Sequence, residues 1–67
     1  MTNEEKKTIF DLLEVKRINQ RAFLDVDDYE TAERYDYEIC GILCVMSKLN
    51  LFDDYFHFLT EGGINND

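Results

Sequence analysis

No proline occurs anywhere in this chain, and its three glycines stand at positions 41, 62 and 63. Proline and glycine are the strongest interrupters of regular backbone, so up to position 61 only Gly41 and side-chain chemistry can end a helix. Long helices are the first expectation. With 67 residues there is room for one small helical domain, expected over 1–67. A chain of this size buries only about 60% of its extended surface, which leaves a monomer marginal and makes a self-partner or a binding partner an early expectation.

The first helix is expected over about 3–24. Thr2 followed by Glu5 has the spacing of a capping box, and Glu4 and Glu5 place negative charge at the positive end of the helix dipole. Ile9, Leu12, Leu13, Val15, Ile18, Ala22 and Phe23 recur at intervals of one to four and form the expected core stripe. Lys16, Asn19 and Gln20 project near the same side. Either the stripe drifts around the helix or these groups form a polar patch within an interface.

Asp25-Val26-Asp27 reads as a short connection, with Asp27 and Glu30 at capping distance, so the second helix, about 28–49, runs antiparallel to the first. Its core stripe is Ala32, Tyr35, Ile39, Ile42, Leu43, Met46 and Leu49. The apolar run over 39–46 has the length of a buried strand, but it continues a helical pattern on both sides and has no other strand to pair with. Asn50 is the expected break and N-cap, with Asp53 at the third position; the alternative is a second helix that continues through it. Leu51, Phe52, Tyr55, Phe56 and Leu59 then define a short third helix, about 51–60. Gly62 and Gly63 would cap it, with 62–67 frayed. The fold class is therefore all-α: an antiparallel helical hairpin plus a short third helix.

Hydrophobic residues make up 45% and aromatics 13%, which is too many for a disordered chain despite a formal net charge of −8. With a pI near 4.4, direct binding to a phosphate backbone works against the overall field, so nucleic acid is not expected as a direct partner. A helix-turn-helix reading of Lys16, Arg17 and Arg21 fails for the same reason, because acids at 25, 27 and 28 follow at once. The charged start, Met1 to Lys7, lacks a signal peptide's apolar stretch, and the 39–46 run is far below the ~20 residues that span a bilayer. No membrane association and a cytoplasmic location are expected. The two cysteines agree with a reducing compartment, since Cys40 and Cys44 lie on neighbouring turns of one helix and form no disulfide framework.

Cys40, Cys44 and His57 are the chain's soft or imidazole ligands, and three ligands without a fourth do not complete a zinc site, so no metal and no cofactor are expected. Both thiols are expected to be buried as small hydrophobes. Asp53 and Asp54 beside His57 read as a solvated group. No nucleophile elbow, phosphate loop or paired-carboxylate pocket is present, so neither catalysis nor a small-molecule substrate is expected.

Contact with protein is the remaining class. The block Asp25, Asp27, Asp28, Glu30, Glu33, Asp36 and Glu38 contains one cation, Arg34. Tyr29, Glu30, Glu33, Asp36 and Tyr37 are the candidate residues for docking on a basic surface of a nucleic-acid-handling protein, as an inhibitor or modulator. Alternatively, the antiparallel hairpin lays Lys16, Arg17 and Arg21 beside the block, which with Arg34 leaves an excess of three acids from seven less four, and the early acids suit the helix dipole. On the second helix, Tyr29, Glu33, Tyr37, Cys40, Gly41 and Cys44 form a band away from the Ile39 stripe. Tyr37, Cys40, Gly41 and Cys44 are the candidate self-association residues of a homodimer, unless the other helices cover them. That alternative function is a self-associating structural or adaptor module. In composition, with much Asn, Asp, Ile and Tyr and neither Pro nor Trp, the chain resembles small phage-encoded modulators of host proteins, which supplies no residue.

Overall fold

The computed structural model describes residues 1–61, so the expected cap from Gly62 and Gly63 and the frayed 62–67 segment lie outside the described residues. Three helices follow one another: α1 (Asn3–Asp25), α2 (Tyr29–Lys48) and α3 (Phe52–Thr60). α1 and α2 pack as the expected hairpin, with short α3 against α1. The capping box forms as read. Thr2 Oγ1 accepts from the Glu5 amide at 3.1 Å, and the Glu5 carboxylate accepts from the Thr2 amide at 2.8 Å. That bond from the Thr2 backbone holds the Glu5 carboxyl below its ordinary pKa.

Both chain reversals use one backbone device. Asp27 and Asn50, expected as N-caps, instead adopt left-handed backbone, with φ of 59° and 55°. Each lies just past a helix end, where its amide and the next one close a Schellman motif. The Asp27 amide reaches Leu24 O and the Asp28 amide reaches Phe23 O; the Asn50 amide reaches Ser47 O and the Leu51 amide reaches Met46 O. Asp and Asn tolerate this conformation better than other side chains, so the chain turns twice without a glycine. The N-cap of α2 is Asp28, whose carboxylate accepts from the Thr31 amide at 3.2 Å. That of α3 is Leu51, which makes no side-chain cap; its side chain is buried in the core.

The core sits at the end of the hairpin farthest from its turn. Phe10 and Leu13 of α1, Ile39 and Met46 of α2, and Leu51 and Tyr55 form one buried cluster, with Ile9, Ile42, Leu43, Phe52 and Phe58 packed against it. Phe10 meets Tyr55 and Phe58 at centroid distances of 5.4 and 5.3 Å. Within this cluster Glu14 is buried too. Its carboxylate accepts from the Tyr55 hydroxyl and, at 3.3 Å, from Arg17, which also donates to the Tyr55 oxygen at 2.9 Å. An acid taken out of water needs such donors, and these join α1 to α3.

Several expected core positions lie outside. Leu12, at 49% exposure, and Val15, Ile18 and Ala22 face solvent, because the buried line of α1 runs instead through Phe10, Leu13 and Glu14 toward Gln20 and Phe23. At 100° per residue the apolar positions read from the sequence span both sides of the helix, and only those facing α2 and α3 are buried. Leu49, Phe56 and Leu59 are exposed for the same reason, and Phe58 packs on Phe10 in their place.

Toward the turn the seam becomes polar. Lys16 pairs with Glu38 at 2.8 Å, and Gln20 donates to the Ala32 carbonyl at 3.3 Å. Phe23 stacks on Tyr35 with ring centroids 5.7 Å apart. The polar residues of α1 thus fix register across the hairpin from the side of the drifting stripe.

Candidate functional site

The first turns of α2 decide what its outer face presents. Residues four apart lie on one face, one turn above the next, so Tyr29, Glu33 and Tyr37 form a line along the helix. Ala32, Tyr35 and Ile39 occupy the opposite side and are buried or half-buried against α1. Burial of that side turns the tyrosine line outward, and Tyr29 and Tyr37 are 65% and 68% exposed.

These side chains are tied to the acids beside them. The Tyr37 hydroxyl donates to Glu33 at 3.0 Å, and the Tyr29 hydroxyl donates to Asp27 at 3.0 Å. The bond to Glu33 also pushes the Tyr37 phenol above its ordinary pKa, because a neighbouring carboxylate favours the protonated ring. Glu30 lies on one flank of the line and Asp36 on the other, where Gln20 donates to it at 3.5 Å. Of the five candidate docking residues, then, Tyr29, Glu33 and Tyr37 share one line, and Glu30 and Asp36 border it.

The cations of α1 neutralise the block only in part, at its two ends. Lys16 reaches Glu38, Arg17 turns inward to Glu14 and Tyr55, and Arg21 stays on its own helix near Asp25 at 3.7 Å. Seven acids less Asp25 and Glu38 leave five, Asp27, Asp28, Glu30, Glu33 and Asp36, without an ion pair among the described residues. Arg34 also makes no ion pair there.

Further along the same face the expected burial of the thiols is overturned: Cys40 and Cys44 are both free and exposed. Gly41 is exposed between them, and a Cβ at that position would meet nothing within 4 Å. The helices of this chain cover neither the thiols nor the glycine, because α1 and α3 both pack elsewhere. Among the described residues no group of three or more His, Cys, Asp or Glu is placed to hold a metal ion, and no helix is long and apolar enough to cross a membrane.

A concavity of about 430 Å³ lies between the start of α1 and α3, with Lys6, Lys7, Asp54, His57 and Glu61 around Phe10 and Phe58. Lys6 pairs with Asp54 at 2.8 Å, and Lys7 with Asp11 at 2.6 Å, while Glu61 makes no ion pair among the described residues. Lys6–Asp54, whose partners come from different helices, leaves no sequence signal, whereas the Glu14–Arg17–Tyr55 group is signalled only by a lone acid one position after Leu13. No family model, curated protein or solved structure matches this chain.

Proposed function

We propose that this protein acts by protein contact, docking the Tyr29–Glu33–Tyr37 line of α2, with Glu30 and Asp36 at its borders, on a basic surface of a nucleic-acid-handling protein. It is an inhibitor or modulator and not an enzyme. The supporting observation is the pairing pattern: among the described residues five acids of one block lack cationic partners, while Lys16, Arg17 and Arg21 of α1 are engaged with other groups. Unpaired carboxylates steer association with a cationic surface, and the two exposed tyrosines supply rigid contact area between them.

Capture from a lysate by the parent chain and by a Glu33→Lys/Asp36→Lys variant, at low and high salt, tests this. The expected partner is basic, is released as salt screens the carboxylates, and is displaced by a competing polyanion such as heparin. The double variant retains the helical signal and loses the partner. Equal capture by both proteins would assign the acids to solvated surface.

A further inference from the structure

The middle of α2 carries a feature that the acidic line does not use. Gly41 sits inside a long helix, where glycine is weaker than alanine, and its own chain gives no steric reason for it. On either side stand two more small side chains, Cys40 and Cys44, both exposed, followed by Ser47. A band with almost no side-chain bulk lets another backbone come close. What decides the occupant is the charge at its two ends: Glu30 and Glu33 lie toward the N-terminus of the helix and Lys48 at its C-terminus, none of them ion-paired among the described residues.

We propose that this face of α2 pairs antiparallel with the same face of a second copy, about a two-fold axis passing between Cys40 and Gly41. Such an axis sets each residue opposite the one equally far on its other side. Cys40 then rests against Gly41 of the second copy, the Tyr37 ring lies over Cys44, and Glu33 meets Lys48. Each contact occurs twice, as a two-fold interface requires. A parallel arrangement would place Glu33 against Glu33 and Lys48 against Lys48, so the charges select the antiparallel one. The pairing stands on these residues alone and does not depend on a basic partner. It does cover Glu33 and Tyr37, so a second copy and that partner compete for one face.

The test is sedimentation or light scattering over a concentration series, joined to two sets of variants. Gly41→Leu has open space in its own chain, so its helical signal is expected to hold or rise, while a bulky side chain at the crossing weakens the dimer by about tenfold or more. Glu33→Lys weakens it by about three- to tenfold through its two symmetric pairs, and adding Lys48→Glu restores it. Thiol cross-linking reads the axis directly. With Cys44→Ser, the remaining Cys40 lies about 1.5 Å along the helix from its mate and a short bismaleimide joins the copies; with Cys40→Ser, the Cys44 thiols lie about 10 Å apart along the helix and joining is slow. A protein that stays monomeric to high micromolar concentration overturns the pairing. So does failure of the charge exchange to restore it, or equal cross-linking through Cys44.

Discussion

Asp27 and Asn50 are structural equivalents: each is the left-handed residue that closes a helix and delivers the chain to the next one, with φ of 59° and 55°. Neither is glycine, so each holds some backbone strain. Asn50 gives the cleaner test, because Asp27 also accepts from Tyr29. Asn50→Gly is expected to raise unfolding stability by up to about 1 kcal/mol, and Asn50→Val to lower it by about 1–2 kcal/mol. Urea denaturation of the two variants checks both signs.

The buried face of α1 is tested by a neighbouring pair. Leu13 is fully enclosed and Leu12, one position earlier, points to solvent. Leu13→Ala is expected to cost about 2–5 kcal/mol and Leu12→Ala no more than about 0.5 kcal/mol. Comparable losses at the two positions in thermal or chemical unfolding would return the stripe to the place its spacing suggested.

Stability should decline at high pH through Tyr55. Burial first, and then the bond to Glu14, push its phenol above the ordinary tyrosine pKa of about 10. A raised folded-state pKa means that the folded form holds its proton more tightly. The associated stability is complete below the unfolded value and is lost as pH climbs through the folded one. Lys16, raised chiefly by its bond to Glu38, acts in the same direction. Tyr55→Phe is therefore expected to lower stability by about 1–3 kcal/mol at neutral pH while flattening the decline above about pH 10. Denaturation midpoints collected across that range separate Tyr55 from Lys16.

The thiols give a further comparison. Both are exposed in the single chain, so at concentrations low enough to keep the protein monomeric each is expected to react with a thiol reagent without prior unfolding, and replacement of either by serine to change the monomer's stability by less than about 0.5 kcal/mol. Protection of a thiol that lifts on dilution would point to cover by a second chain.

The existence, order and direction of the helices were legible because an unbroken 3.6-residue pattern needs no partner to be read. Thr2 and Glu5 were legible as well, since a capping box is a local event completed within four residues. The roles of Asp27 and Asn50 were not. Aspartate and asparagine suit both an N-cap and a left-handed C-terminal position, and only the amide bonds to Leu24 and Ser47 separate the two. Which side of α1 is buried depended on where α3 returns, a contact between residues some forty positions apart. The acidic line was visible in the sequence, but its lack of partners was not, because that depended on where Lys16, Arg17 and Arg21 reach.

The uneven distribution of apolar contact along the hairpin predicts uneven exchange of its amide hydrogens. Around Phe10, Leu13, Met46 and Tyr55 an amide can exchange only when the whole molecule opens, whereas near Gln20, Phe23 and Ala32 the two helices are held by one stacked ring pair and a few polar bonds. That end can separate in a smaller event while the remainder stays folded. Tyr29 and Glu33 ride on it, so the first turns of α2 can adjust to an uneven surface without loss of the core that carries them.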